Sequence, residues 1–254
     1  MCRVRLVARA ARANTDRGHT FGVISRRHLL TATAAGAAST LLGSSPVSAG
    51  SANVLVEDAT RRRFGPVLFI GDSTSSRHWS RLDNVLAEHE VGPYRCDLQP
   101  GRSISREFKR FPSAVRAVQD ARSRGFDPQA VVVALGANDL GYATESHENF
   151  TDLTDTLFRE IGPNRAIGFF NIYATVPTKA RYFNAWLEEA RTSWPNLIVL
   201  DWASLARRHR RWHQDDGFHY NYEGAEARNS FVARAMVNTV LFASARLQRW
   251  PAGQ

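Results

Sequence analysis

Three short polar segments carry side chains that could do chemistry together. Gly71-Asp72-Ser73-Thr74-Ser75 places a hydroxyl directly after an apolar run. A serine at the start of a following helix sits among unpaired backbone N–H groups, at the positive end of a helix dipole. That setting favours a negative oxygen developing beside Ser73. Gly136-Ala137-Asn138-Asp139 follows a second apolar run, and the Asn138 amide can donate to such an oxygen. Asp216-Gly217-Phe218-His219 precedes a long stretch of helical period. A histidine can take the serine proton, and a carboxylate three residues away can hold its tautomer and stabilise the imidazolium. Asp215 is a rival for the carboxylate role. Each segment also has a purely structural reading: a helix cap at residues 72–74, an Asx turn at Asn138, a polar loop before the last helix.

The elements that must position these segments are legible in the apolar pattern. Short apolar runs at 67–70, 130–135, 166–173 and 197–200 are expected as strands, and the weaker pattern at 94–98 as another. Stretches of helical period separate them, over 76–90, 113–124, 150–161, 180–193 and 223–249. Gly125 and Gly162-Pro163 stand as stops after the second and third of these. Strands apolar on both faces and alternating with helices imply a sheet covered on both sides. The expected fold is therefore α/β, a three-layer α/β/α sandwich with a mainly parallel five-stranded sheet, over residues 64–250. In such a sheet reactive groups collect at the carboxyl edge, where strands end and loops begin, and all three segments fall there.

The order Ser, Asn, Asp, His, each at the edge of its element, resembles the SGNH hydrolase superfamily, often called GDSL esterases or lipases. The matching blocks are Ser73 in Gly-Asp-Ser, Gly101 in Gln99-Pro100-Gly101-Arg102-Ser103, Asn138 in Gly-x-Asn-Asp, and the pair Asp216 and His219. The segment His219-Tyr220-Asn221-Tyr222-Glu223-Gly224-Ala225 also looks like the family's lead into its last helix. The resemblance covers about residues 66–245 and implies a flavodoxin-like sheet. It departs at Thr74, which stands where an aliphatic residue is frequent. It implies a triad of Ser73, His219 and Asp216, an oxyanion hole from Ser73, Gly101 and Asn138, and no cofactor. The Gly-x-Ser-x-Gly elbow of the α/β-hydrolases is absent from the sequence.

Charge and cysteine content bear on where the protein works. The chain has 254 residues and a formal charge of +9. Residues 1–49 hold seven arginines, no lysine and one acidic residue, Asp16, which leaves the remainder at only +3. The basic excess therefore belongs to the N-terminal segment and makes no case for nucleic acid. Ser25-Arg26-Arg27-His28-Leu29-Leu30 resembles a bacterial twin-arginine signal. A mildly apolar run over 29–43 follows, and Pro46-Val47-Ser48-Ala49 offers small residues before a cleavage after Ala49. The expected organisation is a signal peptide at 1–49, a linker at 50–63 and the catalytic domain at 64–250. Cys2 would leave with the signal, and Cys96, alone in an expected strand, reads as a buried apolar side chain.

Two features point elsewhere. His209, His213, Asp215 and His219 are close in sequence, but their spacing matches no zinc motif, and no metal is expected. The basic run Arg207-Arg208-His209-Arg210-Arg211-Trp212-His213 reads as a solvated helix end that could also meet an anionic or sugar substrate. The expected function is an exported esterase acting on a small-molecule or glycan-bound ester, with an association with the cell envelope and no nucleic-acid partner. Two alternatives stand beside it. One is a cell-envelope O-acyltransferase, suggested by Asp201-Trp202-Ala203 ahead of Asp-Gly-Phe-His. The other is an inactive carbohydrate-binding module, against which the intact Ser73, Asn138, Asp216 and His219 argue.

Overall fold

A computed structural model of the chain describes residues 3–7, 53–76, 79–108, 111–174 and 177–249. The twin-arginine segment, the apolar run and the cleavage site all lie outside the described residues. The strands are β1 (Arg3–Val7), β2 (Asn53–Asp58), β3 (Val67–Gly71), β4 (Tyr94–Leu98), β5 (Ala130–Ala134), β6 (Ala166–Phe170) and β7 (Leu197–Leu200). The helices are α1 (Ser73–Ser76), α2 (Leu82–Glu88), α3 (Ala114–Ser123), α4 (Leu140–Ala143), α5 (His147–Ile161), α6 (Pro177–Ala190), α7 (Trp202–Arg208) and α8 (Tyr222–Arg249). Single 3-10 turns at Trp79–Arg81 and Arg210–Trp212 precede α2 and follow α7.

The seven strands form one sheet in the order β1-β2-β4-β3-β5-β6-β7. The five expected strands are the parallel part, and β1 and β2 add an antiparallel edge. Residues 50–63, expected as a linker, thus contribute a strand. The reason is the apolar run Val54-Leu55-Val56, which is buried, although the surrounding residues are polar. Arg95 of β4 pairs with Glu57, and Arg62 with Asp58, each at 3.0 Å, so charge also ties β2 down.

Alternation along β3 explains the layers. Val67 and Phe69 face a core built with α2, α7 and α8, where Leu86, Trp202, Val232 and Met236 pack. Leu68 and Ile70 face a second core built with α3, α5 and α6, where Val118, Leu157, Phe158 and Phe183 pack. Both faces of the strand are dry, which is why it reads as a continuous apolar run. Cys96 is buried in the first core.

Helix starts follow their caps. Ser146 Oγ accepts from Asn149 N–H at 3.0 Å, so α5 begins three residues before its first buried residue, Phe150. Ser113 caps α3 in the same way. The expected helix over 76–90 is shorter, because its first turn is 3-10 and α2 begins only at Leu82. The short helices α1, α4 and α7 fall below the length at which helical period can be read.

Candidate active site

The sheet register brings the segments together. Gly71 at the end of β3 stands level with Leu98 of β4 and Ala134 of β5. The chain therefore emerges at neighbouring points of one edge just before Ser73, Gly101 and Asn138. His219 arrives from the loop between α7 and α8, which crosses to the same edge.

Ser73 is the first residue of α1, so its N–H has no partner within the helix. Its hydroxyl does not cap that helix. Asp72 does: its Oδ1 accepts from Thr74 N–H at 2.8 Å and from Thr74 Oγ1 at 2.7 Å. The Ser73 Oγ lies 2.9 Å from His219 Nε2. His219 Nδ1 lies 2.6 Å from Asp216 Oδ2. The other Asp216 oxygen accepts the backbone N–H groups of Phe218 and His219, both at 2.9 Å. Bonded chiefly to His219, the Asp216 carboxyl is held well below the usual carboxylate range. Between the two rival carboxylates, the geometry places Asp216, and not Asp215, against the histidine.

The loop that carries this pair is braced. Gly217 turns at φ 69°, a conformation that suits glycine. Gln214 N–H donates to the His219 carbonyl at 2.8 Å and its side chain to the Tyr220 carbonyl at 3.0 Å. Asn221 closes the loop: its amide donates to the Arg211 carbonyl, and its Oδ1 accepts Gly224 N–H at the start of α8.

Asn138 stands opposite. Its Nδ2 donates to Asp72 Oδ2 at 3.2 Å and to the Arg102 carbonyl at 3.0 Å. The turn before it depends on Gly136, at φ 111°, where a Cβ would come within 2.5 Å of Ile172 and 2.7 Å of Phe183. Gly101 also has a positive φ, 75°, and packs on the Phe111 ring. Asp139 joins the two loops, accepting from Ser103 Oγ and from Ile104 N–H at 3.1 Å. Burial pushes its carboxyl up to about 6.

Sequence reasoning missed the buried charges around the site. Asp72 is only 1% exposed. Burial raises its pKa, against the pull of the Thr74 hydrogen bonds and the charges of Arg228 and His219. Arg228 of α8 is 5% exposed. Its guanidinium lies 5.1–5.2 Å from the ring centres of Phe170, Trp202 and Tyr220. A signal for it was available: Arg228 falls at helical spacing between Ala225 and Val232, both buried, so it interrupts an apolar stripe. A small cleft adjoins the site, lined among others by Asp72, Thr74, Tyr173, Trp202 and Arg228.

The histidines that raised a metal question part company. His209 stacks on Trp212 at 4.0 Å. His213 packs between Tyr173 and Tyr220. His219 faces Ser73. Among the described residues no group of three metal-binding side chains gathers. No described helix is long and apolar enough to cross a membrane.

No protein-family model and no curated protein matches the chain. Solved structures do. The C-terminal catalytic domain of Streptococcus pneumoniae peptidoglycan O-acetyltransferase A is 18% identical, with a TM-score of 0.54 over 72% of this chain and 96% of that one. The protein TesA is 15% identical, with a TM-score of 0.51 over 68% and 98%. A catalytic mutant of an acetylxylan esterase from Geobacillus stearothermophilus is 13% identical, with a TM-score of 0.50 over 72% and 96%. At such identities the likeness establishes the fold: an α/β sandwich with a mostly parallel sheet, shared along nearly the whole length of each neighbour.

Proposed function

We propose that the chain is an exported serine esterase of the SGNH type that cleaves carboxylic esters. The observation that carries this reading is the unbroken path Ser73 Oγ–His219 Nε2 at 2.9 Å and His219 Nδ1–Asp216 Oδ2 at 2.6 Å, at the carboxyl edge of the sheet. Ser73 Oγ attacks the acyl carbon while His219 takes its proton and passes it to the leaving alcohol. Water then attacks the acyl-enzyme, His219 again acting first as base and then as acid, and the free acid leaves. Asp216 keeps the Nδ1 hydrogen on His219 and stabilises the imidazolium.

The tetrahedral oxyanion is received by the N–H groups of Ser73 and Gly101 and by the Asn138 amide. Both hydrogens of that amide are engaged in the resting site. A charged oxygen is a stronger acceptor than the neutral Arg102 carbonyl, so it displaces that carbonyl and leaves the Asp72 bond in place.

A second reading, acyl transfer to a sugar hydroxyl, uses the same steps with the sugar in place of water. The likeness to the peptidoglycan O-acetyltransferase domain supports it. Hydrolysis of p-nitrophenyl acetate and butyrate, with Ser73→Ala as control, tests the common chemistry. Equal rates for the two proteins would refute it and favour an inactive binding module. Acylated sugar formed on adding acceptors would move the assignment to transfer. Export is tested by the double substitution Arg26→Lys and Arg27→Lys, which should hold the precursor inside the cell. Unchanged secretion would refute the twin-arginine route.

A further inference from the structure

We propose that Arg228 is a positioning residue of this site, fixing the orientation of the Asn138 amide through Thr74 and Asp72. The proposal rests on the reading of Asn138 as an oxyanion donor. A guanidinium only donates, so Thr74 Oγ1 accepts from Arg228 Nη2, at 3.2 Å. The single hydroxyl hydrogen of Thr74 is then left to donate to Asp72 Oδ1, at 2.7 Å. Asp72 stays an acceptor at its other oxygen, and Asn138 must turn its NH₂ toward it, at 3.2 Å. The path has one direction throughout: Arg228 to Thr74 to Asp72, with Asn138 donating from the far side. A protonated Asp72 would instead offer a hydrogen and invite the amide oxygen, which would then confront the Arg102 carbonyl.

Arg228 suits the task because little else holds it. It makes no ion pair at contact distance with Asp72. Its Nε donates to Ser75 Oγ at 3.3 Å, and its Nη1 has no hydrogen-bond partner. Three aromatic faces enclose the rest, a low-dielectric setting in which its charge acts strongly on the buried Asp72. Arg228 and Tyr220 face Asp72 from α8 and its approach, His219 from the loop before it, and Asp139 from the Asn138 loop. Of these, Arg228 is the fixed positive charge.

The test is steady-state hydrolysis of p-nitrophenyl acetate over a pH series by the full chain and its Arg228→Met, Arg228→Lys and Thr74→Val variants. Methionine fills similar space among the rings without the charge. Arg228→Met is expected to lower kcat by about tenfold or more with KM nearly unchanged, as for a contact felt in the transition state. It should also move the acid limb of activity upward, since Asp72 then takes a proton more readily. Arg228→Lys should restore the acid limb. Thr74→Val cuts the path while leaving Arg228 in place, and should reproduce the loss of kcat even if Arg228→Met proves too unstable to assay. Wild-type kcat and pH profile in both Thr74→Val and Arg228→Met would overturn the proposal. A raised KM with unchanged kcat would also overturn it and make Arg228 a substrate contact. Ser73→Ala separates the two levels: if it too keeps full activity, the serine-esterase reading has failed and not merely the role of Arg228.

Discussion

Replacing Asp139 by asparagine should make the protein's stability less dependent on pH. Asp139 is 1% exposed, and burial raises its pKa from 3.8 to about 6. Between these values the folded chain holds a proton that the unfolded chain has released, so stability falls as pH rises through the window. Below it the side chain costs nothing; above it the buried charge costs about 3 kcal/mol, from about two units at 1.36 kcal/mol each. About 2 kcal/mol of that difference lies between pH 4.5 and pH 7.5. Asparagine removes the charge and can keep both contacts. Its oxygen accepts Ile104 N–H, and its NH₂ donates to Ser103 Oγ, which accepts as readily as it donates. Urea unfolding of wild type and Asp139→Asn at both pH values gives the comparison. Other carboxylates are common to both chains, so the difference isolates Asp139. The gap should shift by about 2 kcal/mol in favour of the variant as pH rises. A gap that stays constant across that range would refute the reasoning, because Asp139 would then carry the same charge in the folded and unfolded chains.

Asn138→Ala should lower kcat on p-nitrophenyl acetate by about 10²–10³, the effect of one lost oxyanion donor, while Ser73 and His219 stay in place. Gly136→Ala should destabilise the fold by about 2 kcal/mol or more, read from denaturant unfolding, because its Cβ would press on Ile172 and Phe183 at a positive φ. Removal of residues 1–49 should leave kcat within about twofold of the full chain, since β1, three places from β3 in the sheet, lies beyond the contacts that couple sites. A collapse of activity on that truncation would make β1 a working part of the sheet.

Much of the fold was legible because it rests on local pattern. Four of the five parallel strands lie where apolar runs stand between amphipathic stretches, β4 shows the weaker pattern Tyr94-Arg95-Cys96-Asp97-Leu98, and Ser113, Gly125 and Gly162 mark helix ends that any reader of caps would find. The antiparallel strand β2 was obscured because its three buried apolar residues sit inside a polar, basic stretch. At the site, the residue types and their order named the group of candidates: Ser73, Gly101, Asn138, Asp216 and His219. Their choice of partners was another matter. Asp215 and Asp216 are neighbours in sequence, and only the bend at Gly217 gives Asp216 the contact with His219. Asp72, Ser73 and Thr74 are all good caps, and only the arrival of His219 and Asn138 from distant loops leaves the cap to Asp72 and the Ser73 hydroxyl to His219. Arg228 joins the site from 154 residues beyond Thr74. Sequence alone determined the layers, the strand ends and the chemical types, because periodicity and turn chemistry are short-range. Tertiary structure decided which hydroxyl, which carboxylate and which arginine meet, because hydrogen bonds act over about 3 Å and depend on where the sheet register brings separate loops.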